Sequence, residues 1–479
     1  MTLKSKATSG FIWNAVERFS VTIGQFVIGI VLARLLTPED FGLIGMLSIF
    51  IAVSQVFIQS GMGSGLIQKQ DRSDEDYSTV FIFNLVVSVV LYVLLFVSAP
   101  YIASFYQMPL LTSLTRVLGI ILIINALSIV QRTKLEIEVN FKLLAKVNVI
   151  AMLIGGGIGV AAAFLGYGVW SLVIQTISIS TVTAIGLWII GNWRLSLIFS
   201  KTSFQSLFGY GSKLLMAGIY ATSLKEAYNL AIGKFYMASQ LGYFSEAKKF
   251  AEAPSGLISS ILQKVTFPIL SSLQHDKKRL VSVYSRIIKT AAFITFPTLL
   301  LLAVVAEPLI SVLLGEKWLP AVPLLQWFCL ARIVTPMSIV NLSVLNAIGR
   351  SDLFLKVDLI KGPMIIIALL ITIPLSIEAV IISQVFTSFF SYLINTYYSA
   401  KFFNYGALKQ LRDISKTIIA SVLMTLVTVV VIYFIQDTYL KILAGVIVGF
   451  FTFLSVAYLL RIKELNEIKN IAKERLWRK

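Results

Sequence analysis

Residues 33–45 read ARLLTPEDFGLIG, and residues 233–245 read GKFYMASQLGYFS. Laid over one another at an offset of 200, Arg34 meets Lys234, Phe41 meets Leu241 and Gly42 meets Gly242. Both stretches close one apolar run, turn on a few polar residues and open the next run. In the first, Thr37-Pro38-Glu39-Asp40 supplies an N-cap hydroxyl, a proline at the first helical position and acids in the first turn. The offset drifts to 208, where Ala99-Pro100-Tyr101-Ile102 meets Glu307-Pro308-Leu309-Ile310. It reaches 210 where Ser128-Ile129-Val130 meets Ser338-Ile339-Val340 and Lys146-Val147 meets Lys356-Val357. A long internal repeat of helical units therefore organises the chain.

What those units are follows from composition. Of 479 residues, 57% are hydrophobic and 13% charged, against roughly 45–50% and about 25% in a soluble domain. The mean hydropathy is +0.86. A soluble enzyme is excluded, and a single Cys and a single His exclude a disulfide scaffold or a zinc cluster. The apolar stretches give about 14 spans, near 11–35, 41–66, 79–105, 114–131, 146–165, 168–191, 211–234, 252–273, 287–311, 320–346, 353–375, 378–401, 414–435 and 441–460. With the N-terminus in the cytoplasm, 29 Lys and Arg fall on the cytoplasmic side and six on the outer side. The net charge of +18 is thus mostly topological and needs no nucleic-acid partner. Both termini are expected in the cytoplasm. Glu17, Arg18 and the lack of a small-x-small site make the first segment a retained span rather than a cleaved signal.

The expected fold is an all-α polytopic membrane protein of two six-helix lobes, 1–200 and 201–405, plus two additional helices over 406–460. Six spans return each half to its starting side, so the repeats run parallel, as in carriers that bind substrate between two halves. The basic tail 461–479 puts Leu465, Ile468, Ala472 and Leu476 on one helical face. Two readings fit it, an amphipathic segment on the anionic inner leaflet or a solvated end.

Ionisable groups inside spans are costly and therefore informative. They are Glu17, Arg18, Arg116, Lys225, Glu226, Lys264, Arg332, Asp358 and Lys361. In span one, Asn14, Arg18, Thr22, Gln25 and Gly29 share a helical face; in span seven, Gly218, Thr222, Lys225, Asn229 and Gly233 do the same. Span two adds Ser48, Gln55 and Gln59 on a compatible face. Arg18, Gln25, Lys225, Asn229 and Arg332 are the leading cavity residues, with Asn14, Thr22, Gln55, Gln59, Thr222 and Lys264 as additional ones. Glu17, Glu226 and Asp358 are the candidates for ion coupling.

Competing structural readings accompany each. Glu17 and Glu226 could neutralise the neighbouring cations and merely join helices. Arg116 and Lys264 could snorkel to the interface, and Asp358 pairs most naturally with Lys361 three residues on. Ser73-Asp74-Glu75-Asp76 reads as a helix cap rather than a calcium loop. Catalysis finds no purchase: His275 sits in a solvated basic loop, Cys329 reads as a small buried apolar residue, and neither a P-loop nor H-E-x-x-H is present. No cofactor or metal is expected. A cationic stripe among apolar helices asks for an amphipathic anion, which Arg would grip in forked geometry and Lys as a point charge.

LARLLTPEDFGLIGM (32–46), SGMGSGLIQK (60–69), DEDYSTVF (74–81), NFKLLAKV (140–147), LGYGVWSLV (165–173) and LGYFSEAKKFAEAPSGLISSILQKVTFPILSSLQ (241–274) resemble motifs of bacterial polysaccharide-export flippases. These are the Wzx/WzxC-like members of the MOP superfamily, which also holds MATE drug exporters and the lipid II flippase. The resemblance covers about the first 350 residues and thins beyond them. It implies two lobes around a central cavity and a substrate of undecaprenyl-pyrophosphate-linked oligosaccharide. That substrate would be flipped from the cytoplasmic to the periplasmic leaflet of the inner membrane by alternating access, for O-antigen, capsule or exopolysaccharide synthesis. Polysaccharide polymerase and assembly proteins would be its partners. No individual cavity residue carries over by motif. Two alternatives come from other classes: a MATE-like cation-coupled drug exporter, disfavoured by the excess of Lys and Arg on the stripes, and a glycan polymerase or ligase, disfavoured by the short loops.

Overall fold

The computed structural model describes residues 3–59, 62–196 and 198–466. Among them there are helices and connections but no strands. In chain order the helices are α1 (Leu3–Leu35), α2 (Pro38–Gln59), α3 (Met62–Gln68), α4 (Asp74–Tyr106), α5 (Leu110–Leu118), α6 (Ile120–Ile137), α7 (Phe141–Phe164) and α8 (Trp170–Ile190). There follow α9 (Lys201–Phe235), α10 (Ala238–Ser272), α11 (Lys277–Val304), α12 (Ala306–Leu313), α13 (Ala321–Arg332), α14 (Thr335–Ala347), α15 (Ser351–Thr372) and α16 (Ile377–Phe403). The last two are α17 (Ala407–Tyr433) and α18 (Thr438–Leu459).

Each expected span coincides with one helix or with two consecutive ones, and ten helical stretches among the described residues are long and apolar enough to cross a membrane. The order of elements recurs. The fourth span of each half is broken in two, α5 and α6 at Gly119, α13 and α14 at Ile333–Val334. In each half an unbroken pair follows, α7 with α8 and α15 with α16. Backbone groups at bilayer depth have no water to bond, which is why helices carry every crossing and why breaks are short.

The turns form as their residues dictate. Thr37 and Asp40 cap α2 reciprocally: the Thr37 hydroxyl and N–H donate to Asp40 Oδ2, each at 2.8 Å, and the Asp40 N–H returns to Thr37 Oγ1 at 3.3 Å. Ser73 and Asp76 form the same box at α4. Asp76 is fully buried and also receives both of its Lys69 bonds, at 2.7 and 2.8 Å. It precedes the apolar part of α4, 79–105. Burial works against its charge, but hydrogen bonds from Lys69, the Ser73 backbone and Ser203, with the Lys69 charge, outweigh it. The carboxyl is held below its ordinary range.

The chain divides into two compact units, residues 1–242 and 243–479. The first holds α1 to α9 and the opening turn of α10. In it, α7 lies against α8 with little between them: a Cβ on Gly155 would fall 2.6 Å from the Ile179 nitrogen. The second unit holds the rest of α10 and α11 to α18. Its polar centre joins four helices. Gln410 of α17 donates from Nε2 to Asn341 Oδ1 at 2.9 Å and to the Tyr284 hydroxyl at 3.0 Å. Its Oε1 accepts from Tyr392 at 2.8 Å and Asn341 Nδ2 at 3.2 Å, and Tyr284 donates to Asn341 and, at 3.0 Å, to Ser399. All five side chains are buried. The network ties α17, the first additional helix, to α11, α14 and α16.

The start of the tail is tucked into this unit. Ile462 and Leu465 pack with Phe293, Met424 and Phe453, Lys416 donates to the Leu460 carbonyl at 3.0 Å, and Glu464 lies 4.0 Å from Lys289. Leu465 therefore covers protein rather than lipid. Ile468, Ala472 and Leu476 lie outside the described residues.

Candidate substrate-binding site

α9 starts with Ser200 accepting the Ser203 N–H at 3.3 Å and runs unbroken for 35 residues, so its polar positions keep helical register. Its stripe faces two ways. Toward α2, Glu226 Oε2 accepts the Ser48 hydroxyl at 2.8 Å and Asn229 Nδ2 at 2.7 Å, and Asn229 reaches Ser48 Oγ at 3.1 Å. The Ser48 hydroxyl also has the Gly45 carbonyl at 2.7 Å. One proton serves two acceptors, so Glu226 and the α2 backbone compete for it. Asn229 is buried, and its Oδ1 has no hydrogen-bond partner. The Glu226 carboxylate is thus held by neutral donors.

About 100° around the helix, Lys225 is exposed and makes no hydrogen bond or ion pair among the described residues. Lys225 is not the partner of Glu226. Thr222, one turn earlier, is half-buried. On α2, Gln55 is half-buried and Gln59 exposed, continuing the Ser48 face.

On α1, Thr22 and Gln25 are exposed, and Gly29 is buried. The side chains of Asn14 and Arg18 lie outside the described residues. Glu17 accepts from Asn148 Nδ2 of α7 at 2.5 Å, again a neutral partner. Nothing in the helical periodicity of α1 points to Asn148; its only signal is an Asn two residues after Lys146 in an otherwise apolar span. Trp13 of α1 has the Lys142 ammonium 5.4 Å from its ring centroid.

In the second unit, Arg332 ends α13 at the break. Its Nη2 donates to Glu252 Oε1 at 2.8 Å, and the guanidinium stands 5.9 Å from the Phe328 ring centroid. Arg332 Nε is buried without a hydrogen-bond partner. Glu252, at the start of span eight, was not among the ionisable residues singled out from sequence. Lys264 on α10 is half-buried. Asp358 and Lys361 form the i,i+3 pair at 2.5 Å. Among the described residues no cluster of His, Cys, Asp or Glu has the make-up of a metal site.

Ten helical stretches long and apolar enough to cross a membrane, in a recurring order of broken and unbroken helices, define a multi-pass membrane protein. The model of the family described as "Polysaccharide biosynthesis protein" matches residues 31–323, and the chain belongs to that family. The teichuronic acid biosynthesis protein TuaB of Bacillus subtilis (strain 168) is 27% identical over 354 residues, covering 74% of this chain and 73% of the relative. The lipopolysaccharide biosynthesis protein WzxC of Escherichia coli (strain K12) is 24% identical over 373 residues, covering 78% and 76%. Among solved structures, the lipid II flippase MurJ in its inward closed conformation superposes with a TM-score of 0.77 at 15% identity, covering 94% of this chain and 99% of that one. An inward-facing multidrug resistance MATE family transporter of the MOP superfamily gives 0.60 at 16% identity, covering 80% and 97%. These likenesses establish the fold.

Proposed function

We propose that the protein flips a polyprenyl-pyrophosphate-linked oligosaccharide from the cytoplasmic to the outer leaflet of the cytoplasmic membrane, for assembly of a surface polysaccharide. The observation that carries this reading is Lys225, an exposed ammonium on α9 with no ion pair among the described residues, in a chain of the polysaccharide biosynthesis family. An uncompensated cation in a span is expensive, and a passing pyrophosphate would supply the missing charge. Relatives named for teichuronic acid and lipopolysaccharide biosynthesis favour a glycan cargo, and the lipid II flippase fold favours a lipid-linked one.

In this reading the halves 1–200 and 201–405 alternate access to the two leaflets, both termini face the cytoplasm, and polymerase and assembly proteins take the cargo up outside. Arg18, Gln25, Asn229 and Arg332 join Lys225 in contacting the substrate, with Asn14, Thr22, Gln55, Gln59, Thr222 and Lys264 around them. Glu226, held by two neutral donors, is the favoured coupling group, with Glu17 and Asp358 as the other candidates.

The test is lipid analysis of a deletion strain together with its surface glycan. Loss of the polymer with single lipid-linked units held in the cytoplasmic leaflet is the expected outcome. Units that reach the outer leaflet unpolymerised would assign a polymerase role instead, and an unchanged glycan with new drug sensitivity would assign a drug exporter.

A further inference from the structure

Away from these stripes, a groove of about 420 Å³ runs between α6 and α8 in the first unit, the size of a small-ligand site. Its walls are Ile124 and Leu127 of α6 and Ala184, Ile185 and Trp188 of α8, with Thr181 the single hydroxyl. From Thr181 to Ile189 the groove follows α8 for about 12 Å. Both helices belong to stretches long and apolar enough to cross a membrane. The indole N–H of Trp188 is already spent on the Leu127 carbonyl at 2.8 Å, so the ring offers the groove only its apolar body.

Beyond Trp188, at one end of the groove, stands an aromatic cluster with two cations beside it. Trp188 packs at 6.1 Å from Phe81 and 6.0 Å from Trp193, ring centroid to centroid. Buried Gln131 donates to the Trp193 carbonyl at 2.8 Å and fixes that residue beneath α6. The next residue, Arg194, is exposed. Lys134, one turn beyond Gln131 on α6, holds its ammonium 5.8 Å from the ring centroid of Tyr77, a member of the same aromatic cluster. Neither Lys134 nor Arg194 forms an ion pair among the described residues, whereas nearby Arg132 is paired with Glu136 at 3.2 Å. The charge distribution puts this end on the cytoplasmic side, where the leaflet is anionic.

An apolar slot on two membrane-crossing helices, with two cations beyond its Trp188 end that form no ion pair among the described residues, matches one acyl chain and a phosphate. We infer that the α6–α8 groove holds an anionic phospholipid, its chain along Trp188 and its phosphate beside Lys134 and Arg194. The groove is built on different helices from the substrate stripes, so this lipid is a resident of the carrier and not its cargo.

Trp188 reports on the occupant directly, because an acyl chain brominated along its length quenches an indole it touches. The full chain is placed in phosphatidylcholine bilayers doped with brominated phosphatidylglycerol or, separately, brominated phosphatidylcholine. Subtracting the emission of a Trp188→Phe variant isolates Trp188. Severalfold stronger quenching by the phosphatidylglycerol is expected. The double variant Lys134→Gln with Arg194→Gln, at one half-buried and one exposed position, should abolish that preference while the helical circular dichroism is unchanged. Ala184→Phe, which fills the slot, should abolish quenching by either lipid. Equal quenching by both lipids in the unaltered chain would mean ordinary boundary lipid and overturn the inference, as would no quenching at all. Displacement of the brominated lipid by less polyprenyl phosphate than unlabelled phosphatidylglycerol would reassign the groove to the substrate.

Discussion

Gly42 and Gly242 each face the backbone carbonyl that opens the other's helix. A Cβ on Gly42 would lie 1.7 Å from the Ala238 oxygen, and one on Gly242 would lie 1.8 Å from the Pro38 oxygen. Pro38 and Ala238 are the first residues of α2 and α10, and both pairs are separated by the repeat offset of 200. The contact is reciprocal within a single chain, as an isologous interface is between two copies.

Gly42→Ala and Gly242→Ala should each force the two helix starts apart, at a cost of about 1–3 kcal/mol. Thermal unfolding of the purified protein would register either one as a drop in midpoint. Because both substitutions open the same crossing, the double variant should lose clearly less than the sum of the two. Additive losses would mean that the two contacts are independent.

Lys225→Ala should cut surface polymer at least tenfold with the protein still in the membrane, whereas Lys225→Arg, which keeps the cation, should retain most of it. Immunoblotting of membranes beside glycan staining of cells separates the two effects. Full export by the alanine variant would remove Lys225 from the substrate path.

Glu226→Leu leaves the Ser48 hydroxyl to the Gly45 carbonyl alone and the buried Asn229 amide with only Ser48 Oγ, and should destabilise the first unit by about 1–3 kcal/mol. Glu226→Gln keeps an acceptor and should fold normally. If Glu226 couples transport, the Gln variant still loses the dependence of flipping on pH or cation gradient in reconstituted vesicles. If its role is only to join α2 to α9, that dependence survives.

Lys69→Met tests the buried pair beside α3. A carboxyl held below its ordinary range stabilises the fold at pH values above the unfolded value, about 4, and that contribution is lost as the pH falls through the native value. Without Lys69, two of the influences that hold the Asp76 carboxyl down are gone, and it rises. The variant should therefore be least stable relative to the parent near neutral pH, with the gap narrowing toward pH 4. Melting curves across that range show it.

Gln410→Leu should cost about 2–4 kcal/mol, because Tyr284, Asn341 and Tyr392 lose partners in a site closed to water. The measurable consequence is weaker attachment of α17, seen as faster proteolysis in the connection at Asn404–Gly406.

What was legible in the sequence depended on how far apart the partners lie along the chain. Asp358 and Lys361 share one helix, and their spacing alone brings them together. The α2 cap is equally local, since Thr37 and Asp40 are three residues apart. The stripe on α9 was readable because helical register carries through 35 residues, and Ser48 was placed on a face compatible with it. The bond from Ser48 to Glu226 was not readable, because it depends on how α2 and α9 are rotated against each other. Asn148 for Glu17 and Glu252 for Arg332 escaped for the same reason: periodicity orients a face but does not choose its neighbour. The tail divided along similar lines. Its amphipathic face was plain, yet only packing shows that Leu465 turns toward Phe293 and Phe453.

That packing bears on how the protein is made. Phe293, Met424 and Phe453 receive part of their cover from Ile462 and Leu465, which leave the ribosome long after α11 has entered the bilayer. Until then the second unit carries an unfinished apolar seam where the tail will pack. A nascent chain stalled before residue 465 presents a surface that membrane proteases and insertion chaperones can recognise, and release of the last turns erases it.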